Sequence, residues 1–412
     1  MNIPVFLDEL RERGVSVFRK GNKLKYKAPE FIDAETKKLL QEHKKEIMEH
    51  LAQPNKPPPT GAACVINGDC LEAMKNMSDN SIDCIVTDPP YGLSYMGKAW
   101  DKAIPDIKIW EECFRILKPG AFAYIMCAPR QDLLFRMIGT LSNAGFDLEF
   151  SPIHWTYASG FPKAHSLNGK LKGQAHIKQF EGAYCGFQPK PAIEYILVSM
   201  KPLSEATYTD QFQFNGKGIT WLGDCQIPVK QGENQSPTGR FPSNLLVSDA
   251  VLDSNEDSFS RCFSLDAWGQ QKVGHFLKVP KPSRKEKEIG LEELEWQQIR
   301  GRDPGQDSMN TPFKIRPGKR KNDHPTVKPI KLMAYLVSMG SREGDTVLDP
   351  FCGSGTACIA SVLLKRKSIG IEIDAHYSNI AAARVRHYLD RLSEGDVREP
   401  EPTNINKTSQ RA

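Results

Sequence analysis

Two short runs hold residue types from which a group-transfer site can be built. Asp88-Pro89-Pro90-Tyr91 follows the apolar stretch Ile82-Asp83-Cys84-Ile85-Val86, and Asp349-Pro350-Phe351-Cys352-Gly353-Ser354-Gly355-Thr356 follows Thr346-Val347-Leu348 far downstream. Asp88 and a backbone carbonyl of the rigid Pro89-Pro90 turn can each accept a hydrogen from an aromatic amine. Such an amine is a poor nucleophile, because its lone pair is delocalised into the ring. Two fixed acceptors favour the tetrahedral nitrogen that attacks a methyl sulfonium, since they act where charge develops in the transition state. Tyr91 adds a ring face for a base turned out of a duplex. The alternative for these four residues is a surface turn, and the apolar strand before them argues against it. Attack by a cysteine on the cytosine ring would need that cysteine beside a proline, and no Pro-Cys dipeptide occurs.

The downstream run places glycines at the carboxyl end of a strand, where open α/β sheets bind ligands. Gly353 and Gly355 let the backbone approach a ligand, and the start of the next helix favours a carboxylate. About twenty residues on, Glu372 ends the following strand, as expected of an acid that binds ribose hydroxyls. A nicotinamide fold also uses a glycine turn and a distal acid, so it stays open as an alternative. Against it, Cys358 stands where that fingerprint has its third glycine.

Positioning these runs requires alternating strands and helices, and from Ala62 the pattern provides them. Strands are expected at Cys64-Val65-Ile66, Ile82–Thr87, Ala121–Met126, Thr346–Leu348 and Ser368–Ile373. Helices are expected at Ile107–Leu117, Gln131–Ala144, Pro329–Met339 and after the glycine turn to Leu364. Phe146–Trp155 and Ile193–Met200 can pair antiparallel at one sheet edge. The fold class is therefore α/β, a doubly wound and mostly parallel sheet. Residues 62–200 hold its first half, with the Asp88 run, and 323–393 its second, with the glycine turn; over 201–322, where the resemblance named below implies an inserted target-recognition region, the periodicity fades and glycine, proline and basic residues rise. Residues 394–412 read as a polar, disordered tail.

Residues 1–53 read as a small α+β module joined by a proline-rich linker at 54–61. Val5, Phe6 and Leu10 line a helix that Gly14 would cap. A hairpin follows, turning at Gly21-Asn22 between Val15–Arg19 and Lys23–Lys27. A second helix opens at Asp33 and carries Leu39, Leu40, Ile47 and Leu51 on one face.

The chain has 412 residues, 39% hydrophobic and 25% charged, with a net charge of +5. Its size and balance suit a globular protein of two or three folding units. No apolar run approaches the ~20 residues that span a bilayer. Acids and bases from Asp8 onward do not resemble a signal peptide. The ten cysteines include no Cys-x-x-Cys pair, so no metal site is expected.

Taken together, the motifs resemble the β-group DNA amino-methyltransferases, whose order is catalytic motif, target-recognition region, then S-adenosylmethionine motif. The resemblance covers roughly Cys64 to Leu389. It includes Gly68-Asp69-Cys70-Leu71, His324-Pro325-Thr326-Val327-Lys328-Pro329 and Gly370-Ile371-Glu372-Ile373-Asp374. It implies that Asp88, Pro89, Pro90 and Tyr91 are catalytic. It also implies a donor site containing Asp69 and Cys70, the glycine turn from Asp349, Pro350 and Phe351 through Gly353, Ser354, Gly355 and Thr356, and Glu372. Asp69 would contact the donor's adenine, Glu372 its ribose, and the segment with His324, Thr326 and Lys328 its methionine end. Duplex DNA, a flipped base and a cytoplasmic setting follow from the same resemblance. Adenine N6 is the favoured amine and cytosine N4 the alternative, because cytosine members often begin the motif with Ser.

Further local matches resemble phage or prophage members: Gly97-Lys98-Ala99-Trp100-Asp101, Trp155–Lys163 with Ser159-Gly160-Phe161-Pro162-Lys163, and Gly239-Arg240-Phe241-Pro242. Trp100 reads equally as a packing aromatic or a base contact. Basic residues punctuate the middle of the chain: Lys163, Lys170, Lys172 and Lys178; Lys278, Lys281, Arg284, Lys285 and Lys287; Lys314, Arg316, Lys319, Arg320 and Lys321. They read as phosphate contacts, with a solvated face as the alternative. The N-terminal module resembles the docking domain at the N-termini of some nonribosomal peptide synthetase subunits, through Phe6-Leu7-Asp8-Glu9-Leu10, Arg13-Gly14-Val15 and Leu24-Lys25-Tyr26. That resemblance implies a protein partner, whereas the hairpin's Arg19, Lys20, Lys23, Lys25 and Lys27 would also suit DNA.

Overall fold

In a computed structural model the structure describes residues 6, 10, 15–20, 23–27, 32–52, 62–93, 99–157, 165–167, 181–187, 189, 192–228, 239–248, 262–272, 284–299 and 318–393. The linker at 54–61, the tail at 394–412, Gly14, the Gly21-Asn22 turn, Ser159–Lys163, and Lys170, Lys172, Lys178, Lys278, Lys281, Lys314 and Arg316 lie outside the described residues.

Eight strands form one sheet: β1 (Ala63–Asn67), β2 (Cys84–Thr87), β3 (Phe122–Cys127), β4 (Ile153–Thr156), β5 (Ile193–Met200), β6 (Leu245–Val247), β7 (Thr346–Asp349) and β8 (Lys367–Glu372). Their spatial order is β6-β4-β5-β3-β2-β7-β8-β1. Every pairing is parallel except those of β5, which runs against both β3 and β4. The predicted antiparallel pair is present, but it is not the edge. Leu245–Val247 adds parallel to β4, in register Leu246 with Trp155, because β4 needs a partner for its outer backbone groups.

Strand residues alternate between two cores, as the two-residue period requires. Cys84, Val86, Tyr124, Met126 and Val347 point into one core, while Ile85, Ala123, Ile125 and Leu348 point into the other. A parallel sheet must be covered on both faces. Helices α1 (Cys70–Lys75), α2 (Ile107–Ile116) and α3 (Gln131–Asn143) cover the second face. The first is covered by α4 (Ile330–Gly340), α5 (Thr356–Leu363) and α6 (Ala375–Ser393). Every residue of α4 is buried, as expected of a largely apolar helix, and its one charged residue, Lys331, is ion-paired with Asp266. At its end a Cβ on Gly340 would meet Tyr124 Cε2 at 2.6 Å and Cys84 Sγ at 2.7 Å, so only glycine allows this helix so near the sheet.

The chain leaves β2 toward β3 and leaves β7 toward β8, in opposite directions along the sheet. That divergence between neighbours opens a crevice at their carboxyl ends.

The N-terminal residues have a core of their own, with Phe6, Leu10, Val15, Ile32, Leu40 and Ile47 buried. Ser16–Lys20 pairs antiparallel with Lys23–Lys27. Asp33 caps the next helix by accepting from Thr36 N at 2.7 Å. The single helix expected there is two, Ala34–Glu42 and Lys44–Ala52. Leu40 on the first and Ile47 on the second are buried in the same small core. Among the described residues no helix is long and apolar enough to cross a membrane.

Candidate active site

Both predicted motifs emerge at the β2–β7 crevice. Thr87, the last residue of β2, donates its hydroxyl to Asp349 Oδ1 at 2.6 Å, and Phe351 N donates to the same oxygen at 3.1 Å. Burial pushes the Asp349 carboxyl up to about 7, with those two donors opposing the shift. Two runs 262 residues apart in the chain are thus tied side by side.

The Asp88–Tyr91 turn is held from behind. Asp101 is buried, and its Oδ1 accepts from Tyr91 N at 2.7 Å and Gly92 N at 2.9 Å. Gly92 has φ +72° and lies against the backbone of Ala103 and Ile104, which fixes the exit of the turn. Within the Gly92–Asp101 loop, residues 94–98 are outside the described set. Pro89 is buried and Pro90 half-buried, so the proline pair is wedged in place.

Around Asp88 the structure assembles a charged cluster that motif reading only partly anticipates. Lys328 Nζ bonds Asp88 Oδ2 directly. Tyr91 donates its hydroxyl to Asp88 Oδ1 at 2.6 Å, and Lys328 Nζ lies 5.4 Å from the Tyr91 ring centroid. Glu194, the second residue of β5, brings Oε2 to 3.4 Å from Lys328 Nζ and 3.2 Å from the Tyr91 hydroxyl. The Tyr157 hydroxyl donates to Glu194 Oε1 at 3.1 Å. Burial pushes the Asp88 carboxyl up, with Lys328 opposing and Glu194 adding. Burial alone would lower Lys328, but the two carboxylates hold it above the ordinary lysine value. The Tyr91 hydroxyl is pushed up by burial beside the same two acids.

The structure therefore bonds Lys328 to the Asp88 carboxylate, while His324 of the same run lies against Gly353. Glu194 belongs to no motif, and Tyr157 lies in the Trp155–Lys163 match with no role assigned to it. The sequence signal at Glu194 is a lone acid near the start of an otherwise apolar strand, and at Tyr157 a tyrosine just past the end of another.

The glycine turn forms the second half of the site. Gly353 N donates to Glu372 Oε2 at 2.9 Å, and Asp374 N donates to Oε1 at 2.8 Å. Gly353 and Gly355 have φ of +52° and +80°, and a Cβ on Gly353 would meet His324 Nε2 at 2.8 Å. The His324 ring is edge-on to Tyr377 at 4.6 Å and parallel to Trp100 at 6.4 Å, and its Nδ1 faces Thr326 N at 3.4 Å. Trp100 is thus a neighbour of His324. Asp69 caps α1 through Glu72 N at 3.1 Å, and Gly68 N donates to the carbonyl of Glu372 at 3.0 Å. That bond brings the Gly68-Asp69 run beside Glu372, with exposed Ile373 adjoining.

Other predicted donor residues have packing roles here. Cys70 is buried under α1, Pro350 is buried, and Phe351 packs against Trp110 with centroids 6.0 Å apart. Ser354 is buried and accepts from Arg384 at 3.0 Å, and buried Thr356 begins α5. The missing third glycine has a counterpart across the contact. Cys358 of α5 faces Gly370 of β8, where a Cβ would meet its Sγ at 2.6 Å. The close helix–strand approach is kept, with the small residue on the strand.

Such a sheet, with an acidic Pro-Pro turn and a glycine turn at one crevice, defines an α/β group-transfer enzyme. Residues 82–383 match the family described as DNA methylase. The chain belongs to that family, which takes in adenine-N6 and cytosine-N4 enzymes and uses S-adenosylmethionine as methyl donor. The nicotinamide alternative falls with this match. Residues 3–53 match the TubC N-terminal docking domain. Among curated relatives, the type II methyltransferase M.HpaI of Haemophilus parainfluenzae is 25% identical over 333 residues, 78% of this chain and 73% of the relative. The DNA adenine methyltransferase YhdJ of Escherichia coli K12 is 25% identical over 364 residues, 84% of this chain and 92% of the relative. The solved PvuII DNA methyltransferase, described as cytosine-N4-specific, is 16% identical with a TM-score of 0.43, covering 83% of this chain and 97% of that one.

Proposed function

We propose that the chain methylates the N6 amine of adenine in duplex DNA, in the β-group arrangement, with the base flipped into the β2–β7 crevice. The observation that carries this reading is the Thr87–Asp349 bond, which sets the Asp88 turn beside the glycine turn. Asp88 accepts from the target amine and so keeps the nitrogen lone pair available for attack. The ring of Tyr91, its hydroxyl held by Asp88, is the platform for the base. The residues present suit the donor: Gly353, where a Cβ would run into the His324 ring, keeps its N–H on Glu372, and Glu372 is fixed by two backbone N–H groups as a ribose acceptor. Bound there, S-adenosylmethionine would supply an electrophilic methyl sulfonium. The Asp at the start of the catalytic motif and the similarity to YhdJ, a DNA adenine methyltransferase, support adenine over cytosine.

In the same reading, residues 201–322 recognise the target, with exposed Lys319 and Arg320 among the phosphate contacts. The N-terminal module docks a protein partner in the cytoplasm. Long-read modification mapping of DNA from methylation-free cells expressing the chain tests the activity. N6-methyladenine at one fixed motif is expected, and it should vanish with Asp88→Ala while S-adenosylhomocysteine binding persists. Methylation by Asp88→Ala would refute the mechanism, and N4-methylcytosine would replace the target amine.

A further inference from the structure

Lys328 stands between two acids, and one of them is the acid the target amine must reach. Its Nζ is bonded to Asp88 Oδ2 and lies 3.4 Å from Glu194 Oε2. All three side chains are largely shielded, at 10%, 15% and 17% exposure for Lys328, Asp88 and Glu194. Glu194 reaches this point because β5 is the reversed strand. Its beginning, rather than its end, lies at the carboxyl edge of the parallel strands, with Glu194 opposite Trp155. The Tyr157 hydroxyl fixes one Glu194 oxygen and leaves the other toward Lys328.

Each oxygen of Asp88 already accepts one hydrogen bond in this arrangement, Oδ2 from Lys328 and Oδ1 from the Tyr91 hydroxyl, so about half of its acceptor positions are taken. An amine cannot bond to Asp88 Oδ2 in the same direction as the ammonium already there. If Lys328 simply let go, it would be a buried cation without a partner, which is costly. Glu194 removes that cost, because it is already within ion-pair distance. A shift of about 1 Å completes the transfer, and an ammonium with three donors can turn without losing contact.

We propose that Glu194 is a positioning residue that draws Lys328 off Asp88 when the target amine enters. The catalytic carboxylate is then masked by Lys328 in the free enzyme and unmasked with the base in place. This rests on the amino-methyltransferase reading of the site.

The test is a double-mutant cycle on the full chain, read by single-turnover methyl transfer to duplex DNA carrying the mapped site. S-adenosylhomocysteine calorimetry checks that each variant is folded. Glu194→Gln keeps the side-chain shape but removes the charge that receives Lys328. It should slow methyl transfer about 10- to 100-fold with donor affinity unchanged. In a Lys328→Met background the same substitution should leave the rate unchanged or raise it, since there is no Lys328 to draw off, a like charge facing Asp88 is removed, and glutamine still offers an acceptor to the Tyr157 and Tyr91 hydroxyls. Glu194→Asp, which restores a carboxylate, should be faster than Glu194→Gln, and this comparison stands even if Lys328→Met does not fold. Wild-type rates in Glu194→Gln overturn the proposal. So does an equal slowing with and without Lys328, or Glu194→Asp no faster than Glu194→Gln. Absence of methylation by the wild type, or its persistence in Asp88→Ala, would instead overturn the enzymatic reading itself.

Discussion

Asp349→Asn measures how strongly the fold opposes a charge at the junction of the two motifs. Asp349 is 4% exposed, and its Oδ1 takes the Thr87 hydroxyl and the Phe351 N–H. Burial raises its carboxyl from 3.8 to about 7, with Asp88 and Glu372 adding to the shift. The folded state therefore holds the proton more tightly than the unfolded chain does. For an acid shifted in this direction the stabilisation is complete below about pH 4 and is lost as pH rises toward about 7. A shift of about three units at about 1.36 kcal/mol each makes the full loss about 4 kcal/mol. Asparagine resembles the protonated acid, keeps an acceptor for Thr87 and Phe351, and does not titrate. Urea unfolding of both proteins by tryptophan fluorescence, from pH 4.5 to 8.5, isolates the effect, because groups common to the two cancel on subtraction. Between pH 4.5 and 8.5 the variant should gain about 3 kcal/mol on the wild type, the part of the loss that falls inside this range, and level off above pH 7 to 8, with m unchanged. Parallel stability profiles would refute the reasoning.

Donor binding and the N-terminal module supply the remaining predictions. Gly353→Val places a branched side chain at φ +52° and 2.8 Å from His324 Nε2, whose ring Tyr377 holds edge-on at 4.6 Å. Strain of about 1–2 kcal/mol from the backbone alone, before the contact with His324, should weaken S-adenosylhomocysteine binding at least ~10-fold by calorimetry, and unchanged affinity there and in Glu372→Ala would move the donor site. A chain beginning at Gly61 should methylate short duplexes at the wild-type single-turnover rate, because the removed residues have their own core. Its DNA affinity should keep the same dependence on salt. A shallower slope would assign the hairpin lysines to phosphate contacts.

How far the site was legible follows from how each part is encoded. Asp88 and the glycine turn were readable because their function lies in local backbone form: two prolines, two glycines, and the apolar strands that end at them. The sheet was readable for the same reason, since buried strands and amphipathic helices alternate along the chain. The edge was misread because Leu245–Val247 is too short to announce itself, and because pairing with β4 is decided by open backbone groups rather than by side chains. Lys328 is legible as part of the His324–Lys328 run, but its bond to Asp88 is not, since that bond crosses 240 residues. Glu194 was missed altogether. An acid at the start of an apolar strand looks like a solvent-facing end, and it faces solvent whenever the strand runs with its neighbours. In this sheet the functional edge is where parallel strands finish, so a strand that runs the other way brings its first residues there. Reversal of β5 turns the opening acid of a buried strand into the carboxylate nearest Lys328 after Asp88. Strand direction, which depends on long-range pairing and not on composition, is what separates the two meanings of the same residue.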